Sequence, residues 1–276
     1  MSGRARFAGR NVLVTGSTGM AASAARAIAA EGGAVFVTSR DEAHLTALAN
    51  EIERSGGRCA WLAADLRREA DAEAVFEALD RQLGRLDAVY GVAGISGRRF
   101  GDGPLHETTL AGWETVMAAN ATTQFLVVRG AIRRMLGQAP GDGGTRGVIL
   151  AMSSTLATHP APGHFATHAY AASKGAIEAL TRAAAAFYAP HGIRINAIAP
   201  ALIATPMSRR AQEDAAILAY LADRQPLAGG PIDPDAVTAV ALHLLSDEAR
   251  MVTGQVIAVD GGWSVSEPGR SSRSPG

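Results

Sequence analysis

In the run Tyr170-Ala171-Ala172-Ser173-Lys174 a phenol and an ammonium stand four residues apart, and on a helix that spacing puts both on one face. A free tyrosine titrates near ~10 and is a poor acid or base at neutral pH. A neighbouring ammonium favours the phenolate, so the pair could exchange a proton with an oxygen atom of a bound molecule. Lys174 is the single lysine of the chain, beside 25 arginines. A composition that has excluded lysine everywhere else marks this one for a role that arginine cannot fill, since a guanidinium is planar and bulky where an ammonium is a compact point charge.

A second group of residues lies at the other end of the chain. Thr15-Gly16-Ser17-Thr18-Gly19-Met20-Ala21 follows an apolar run and opens an Ala-rich helical stretch to Glu31. Glycines there let the backbone approach a ligand, and the N–H groups and dipole of the helix meet a pyrophosphate. The spacing is imperfect, and a tight strand-to-helix turn without a ligand would use the same glycines; its place at the start of a βαβ unit favours the phosphate reading. The next apolar run ends in Ser39-Arg40, where an acid would accept from the ribose 2′-OH of NAD. A hydroxyl and a fork of donors suit a 2′-phosphate instead, which points to NADP(H) over NAD(H). The other reading of Arg40 is a solvent-facing partner of Asp41 or Glu42. Asp65 could accept from an adenine amino group or cap the following helix.

These groups need a frame. Short apolar runs at Asn11–Thr15, Ala34–Thr38, Cys59–Ala63, Ala88–Val92, Val148–Met152, Ile193–Ala199 and Gln255–Val259 alternate with helical stretches. The pattern predicts an α/β, doubly wound Rossmann fold: an about seven-stranded parallel sheet with helices on both faces, in one domain over 1–263, and a flexible tail over 264–276. The irregular pieces after strand ends, 97–106, 155–168 and 201–232, fall on the edge where open α/β sheets bind ligands.

Composition narrows the partners. The 26 basic groups cancel 26 acidic ones, which excludes the basic face a nucleic acid needs. Arginine pairs such as Arg67-Arg68, Arg133-Arg134 and Arg209-Arg210 read as solvated faces. No apolar run is long enough for a membrane span or a signal segment. The lone Cys59 has no disulfide partner and no CxxC motif exists, so no metal is expected and a reducing cytoplasm fits.

Taken in order, the Thr15–Ala21 turn, Asp65, Val92-Ala93-Gly94, Asn120, Ser153-Ser154, Tyr170-x-x-x-Lys174, Asn196 with Pro200, Thr205-Pro206-Met207 and Val259-Asp260-Gly261-Gly262 resemble the short-chain dehydrogenase/reductase family, in its compact single-domain branch, over about Phe7 to Trp263. The resemblance implies a Ser–Tyr–Lys–Asn constellation. Tyr170 would protonate a carbonyl oxygen in reduction or take the alcohol proton in oxidation, and Ser154 would stabilise charge on that oxygen, leaving Ser153 as a strand-end residue. Lys174 would hold the nicotinamide ribose and depress the Tyr170 pKa, and Asn120 would hold a water linking Lys174 to solvent. The cofactor set it implies is Gly16, Ser17, Thr18, Gly19 and Met20 at the pyrophosphate; Ser39, Arg40, Asp65 and Leu66 at the adenosine; and Ala93, Gly94, Pro200, Ile203 and Thr205, with Tyr170 and Lys174, around the nicotinamide. It implies a small-molecule carbonyl or alcohol substrate and a homotetramer or homodimer formed through helices at Thr109–Gln138 and Tyr170–Tyr188. Rival readings are an isomerase or lyase of the extended branch, which borrows and returns a hydride, and a catalytically silent NADP-binding protein.

Three departures from the family pattern stand out. The glycine turn is one residue shorter than the usual T-G-x-x-x-G-x-G. Gly91-Val92-Ala93-Gly94 replaces Asn-Asn-Ala-Gly, removing a side chain that ties strands together. The stretch between Ser154 and Tyr170 is expanded and carries His159, His164 and His168; the expectation is a substrate entrance, with a histidine touching substrate or exposed, rather than a metal site. Residues 201–232 are expected to form a mobile lid whose helix, about Glu213 to Leu221, turns Ile217, Leu218 and Leu221 to a substrate, to a neighbour or into the core.

Overall fold

The computed structural model describes residues 5–141 and 144–266. Its centre is a seven-stranded parallel sheet in the order β3-β2-β1-β4-β5-β6-β7, formed by β1 (Asn11–Thr15), β2 (Ala34–Ser39), β3 (Arg58–Ala63), β4 (Ala88–Gly91), β5 (Gly147–Met152), β6 (Ile193–Pro200) and β7 (Val256–Val259). Each expected strand is present, with ends shifted by a residue at most. The central strands are covered on both sides, which is why they read as unbroken apolar runs rather than alternating ones. Val12, Val14, Val35 and Leu150 face α1 (Gly19–Ala30), α2 (Glu42–Arg54) and α9 (Pro234–Leu245), while Leu13, Phe36, Val89 and Ile149 face α3 (Glu69–Leu83) and α5 (Thr123–Gly137). Between these helices lie α4 (Leu110–Met117), α6 (His168–Tyr188), α7 (Arg209–Gln212) and α8 (Ala215–Arg224).

The strand order reverses between β1 and β4, so their C-terminal ends open a crevice there. Every functional segment read from the sequence leaves this same edge of the sheet. The rod expected over Thr109–Gln138 is broken by a π-helical turn at Ala118–Thr122 between α4 and α5. One extra residue per turn is a local change that helical periodicity cannot report, and such turns mark functional sites.

The fold runs beyond the expected boundary at 263. Ser264 N–H donates to Asp260 Oδ2 at 2.9 Å, and Arg224 donates to the Ser266 carbonyl. The rest of the expected tail, 267–276, lies outside the described residues. Among the described residues no helix is long and apolar enough to cross a membrane. Cys59 is free and half-buried, and burial pushes its thiol up to about 12.

Candidate active site

The glycine turn leaves β1 with Gly16 at φ 103° and Gly19 at φ 54°, conformations that a side chain resists. A Cβ on Gly19 would lie 2.9 Å from Thr205 Cγ2, so the turn and the segment after β6 close on one another. Thr18 precedes α1 without capping it by its side chain, and the first turn of α1 carries no acid. The starts of α2, α8 and α9, in contrast, are each capped by an aspartate. The N-terminus of α1 thus keeps its N–H groups and positive dipole end for an anion, and the residues fit a dinucleotide pyrophosphate.

Around this cradle the other expected cofactor residues assemble, though not all as expected. Ser17 Oγ donates to Ser39 Oγ at 2.9 Å, joining the ends of β1 and β2. Arg40 is exposed and makes no ion pair with Asp41 or Glu42 among the described residues; Asp41 instead caps α2 through the His44 N–H at 2.9 Å. Asp65 does not cap the next helix. α3 begins at Glu69, and Arg67 takes the Asp65 carboxylate with Nε at 2.8 and 3.0 Å, holding it below its ordinary range. Arg40 adds a smaller pull on the same carboxylate. The Leu66 side chain packs into the core on the α3 face. Ala93 N–H donates to Thr15 Oγ1 at 3.0 Å, pinning the end of β4 to that of β1.

The candidate catalytic group is built on α6 and the end of β5. A cavity of about 400 Å³ is lined by Ser154, Tyr170 and Lys174 together with Met20, Gly94, Pro200, Ile203 and Thr205 from the cofactor side. The two serines part company. Ser153 Oγ turns back to α6, donating to Glu178 Oε1 at 2.9 Å, whereas Ser154 Oγ donates to the Pro200 carbonyl at 3.4 Å and lines the cavity with Tyr170. Lys174 is buried, with Nζ donating to the Met152 carbonyl at 2.8 Å and lying 5.5 Å from the centre of the Tyr170 ring. The pKa expectation needs correction. Burial raises the phenol above its ordinary value, offset only by the Ser154 hydrogen bond, and burial brings Lys174 down to about 8. In this geometry desolvation outweighs the attraction between ammonium and phenolate.

Asn120 sits in the π turn, fully buried. Its Oδ1 accepts from Ile95 N–H at 2.8 Å, and its Nδ2 donates to the Ile95 carbonyl at 3.1 Å and to Ser173 Oγ at 3.0 Å. It therefore ties the segment after β4 to α6. Gln124, which sequence reasoning passed over, accounts for Gly91: its Nε2 donates to the Gly91 carbonyl at 3.1 Å, and a Cβ on Gly91 would lie 2.2 Å from that atom. The strand tie lost with asparagine is supplied from α5.

Asp102 was also missed. From the loop after β4 it accepts the N–H groups of Ala169 at 3.0 Å and Tyr170 at 2.9 Å, and it is 5% exposed. Thr167, next to the helix, offers no side-chain cap, so a residue 68 positions away does that work and holds the first turn that carries the phenol. Asp102→Ala should cost about 1–2 kcal/mol of stability through the lost cap, read as the midpoint of urea unfolding. Asp102→Asn, which keeps one acceptor, should recover part of that.

None of the three loop histidines lines the cavity; Phe165 and Thr167 do. His159 pairs with Thr158, His168 meets the Gly103 carbonyl at 2.8 Å and His164 stacks on Tyr220 with ring centres 4.5 Å apart. Among the described residues no group of three or more His, Cys, Asp or Glu could hold a metal ion. The α8 stripe goes to packing: Ile217 and Leu221 are buried against Trp263, and Leu218 lies beside them. Ile203 pairs with Ile232, and Gln225 Oε1 accepts from Leu202 N–H at 2.7 Å, so the 201–232 segment is clasped at its base. Arg209 and Arg210 line the cavity instead of standing on a solvated face apart from it.

A family model described as Enoyl-(Acyl carrier protein) reductase matches residues 14–264. The chain belongs to the short-chain dehydrogenase/reductase family. Cis-4-hydroxycyclohexanecarboxylate dehydrogenase of Sinomonas cyclohexanicum is 34% identical over 259 residues, which cover 94% of this chain and 98% of that protein. A-factor type gamma-butyrolactone 1'-reductase (1S-forming) of Streptomyces virginiae is 36% identical, covering 93% and 96%. Among solved structures, gluconate 5-dehydrogenase from Burkholderia cenocepacia J2315 in complex with NADP and tartrate is similar with a TM-score of 0.85 and 29% identity, covering 95% of this chain and 98% of that one. This short-chain dehydrogenase/reductase is accordingly an NAD(P)-dependent oxidoreductase acting on a small molecule.

Proposed function

We propose that this enzyme reduces a ketone, or oxidises the corresponding secondary alcohol, with NADP(H), using Ser154, Tyr170, Lys174 and Asn120. The reading rests on one cavity that is lined both by the Ser154, Tyr170 and Lys174 side chains and by the residues closing over the glycine turn. When bound, the nicotinamide supplies or takes the hydride. The protein orients and handles the proton. Tyr170 donates from its phenol oxygen to the carbonyl oxygen as charge develops there, and Ser154 hydrogen-bonds the same oxygen. A raised phenol suits this direction, since the donor stays protonated throughout the neutral range. Lys174 holds the ribose and places positive charge beside the phenol. Asn120 has its side-chain amide committed to Ile95 and Ser173, so we assign it the relay water through its main-chain carbonyl. Residues 201–232 form the lid, hinged at the Ile203–Ile232 clasp.

Arg40, exposed after the end of β2 and without an ion pair to its own neighbours, is the 2′-phosphate partner. The similar gluconate 5-dehydrogenase structure holds NADP, which supports the assignment. Arg40→Ala should weaken NADP(H) by about tenfold or more, the size of a lost charged hydrogen bond, and leave NAD(H) nearly unchanged. Titration of both cofactors by the fluorescence of their reduced forms checks this; equal losses would sink the assignment.

The reaction itself is tested with a panel of ketones and reduced cofactor. Stoichiometric loss of nicotinamide absorbance supports the reductase. Conversion of a hydroxylated substrate without net change in cofactor would point to an isomerase, and cofactor binding with no turnover to a silent protein. We further propose a cytoplasmic homotetramer or homodimer built on the α4–α5 rod and α6, where Phe125 is exposed over a groove lined by Ala176 and Leu180.

A further inference from the structure

The rim of the cavity carries charge of one sign. Arg98 and Arg99 reach it from the segment after β4, and Arg209 and Arg210 from α7; no Asp or Glu lies among the lining residues described. In a chain whose 26 bases match 26 acids this is a local excess. Among the described residues several arginines elsewhere are paired, Arg6 with Glu31, Arg26 with Glu51 and Arg134 with Glu73, while others such as Arg40 are not. At the rim, Arg99 and Arg209 make no ion pair among the described residues. Arg210 meets Asp214 only at 3.9 Å, and that carboxylate already caps α8 through the N–H groups of Ala216 and Ile217. Arg98 donates to the His164 carbonyl at 3.3 Å, and the one acid that bears on it, Asp102, is spent on the start of α6. Burial and the charge of Arg210 both press the Arg98 guanidinium below its ordinary value. Much of the remaining lining is apolar, including Leu156, Phe165, Leu202, Met207 and Trp263.

We infer that the substrate carries a carboxylate on an apolar body, gripped at the rim by Arg98 and Arg210 while its carbonyl reaches Tyr170. This rests on the reading of Tyr170 as the proton donor. Two guanidiniums on the rim of one cavity can both donate to a carboxylate, and an anion there also relieves their mutual repulsion.

The test uses the full chain with saturating NADP and two probes of matched shape, benzoate and benzamide, titrated by calorimetry. Benzoate is expected to bind at least about tenfold more tightly, as charged hydrogen bonds do over neutral ones. That preference should shrink as salt is raised, because the rim is exposed. In the Arg98→Gln/Arg210→Gln double variant the two probes should bind alike, with benzamide unchanged, whereas Arg81→Gln, remote on α3, should keep the preference. Equal binding of the probes to the unaltered enzyme, a preference that survives the double substitution, or no binding of either probe would overturn the inference. Turnover of neutral ketones is followed separately. Neutral ketones reduced by an enzyme that ignores benzoate would leave the reductase standing and remove the anion site; a benzoate preference without reduction of any carbonyl would do the reverse.

Discussion

Tyr170→Phe is expected to abolish nearly all turnover, by roughly 10²–10⁴-fold in kcat, while cofactor affinity stays close to that of the unaltered enzyme. The substitution removes one oxygen atom and leaves the ring that packs beside Lys174. Ser154 remains to hydrogen-bond the substrate oxygen but has no proton of suitable acidity to give. The Asp102 cap contacts only the main chain of residue 170, so the helix start is untouched and the loss cannot be assigned to misfolding. Single-turnover kinetics with a reduced ketone substrate, alongside cofactor titration, separate the two effects. Unchanged turnover would mean that the proton comes from elsewhere.

Lys174→Arg is the second large effect. Lys174 holds its ammonium against the Met152 carbonyl and is only 3% exposed. A guanidinium keeps the charge but adds atoms in a plane, and the displacement it forces on the phenol or the ribose should cost about a hundredfold in kcat. The same variant reads the pH dependence. Reduction needs the phenol protonated and Lys174 charged. Both hold below about 8; as pH rises through about 8 Lys174 loses its proton first, because burial lowers its pKa while it raises that of Tyr170. The rate of reduction should therefore fall on the alkaline side near 8. In Lys174→Arg the residual rate should show no such limb, since arginine stays charged past ~12. Full activity in the variant would show that charge alone suffices and that the single lysine is an accident of composition.

What the sequence made legible follows from how local each signal is. Strands buried on both faces write their bounds as apolar runs, so β1 and β5 could be read almost to the residue. Tyr170 with Lys174, and Gly16 with Gly19, are motifs within one turn of chain; the first pair lines the cavity, and the second closes on Thr205, which lines it too. What escaped notice depends on contacts between distant segments. Asp102 caps a helix that starts 66 residues later, at His168, and Gln124 explains a glycine 33 residues before it. Arg98 and Arg210 had no sequence signal at all: the Arg209-Arg210 pair looks solvated, and only the fold brings it to the same cavity as Arg98. Of the two readings of Asp65, the helix cap falls away because a neighbour two residues on, Arg67, holds the carboxylate. The Tyr170 pKa was misread because the depth of burial, which no spacing encodes, decides it.

Transfer of deuterium tests the proposed chemistry most directly. With NADPH labelled at the reactive position of the nicotinamide, one deuterium should appear on the carbinol carbon of the product for each cofactor oxidised, and Tyr170→Phe should suppress that transfer with the cofactor still bound. Product free of deuterium, or label delivered at the full rate by Tyr170→Phe, would contradict a carbonyl reductase working through the Ser154–Tyr170–Lys174 site.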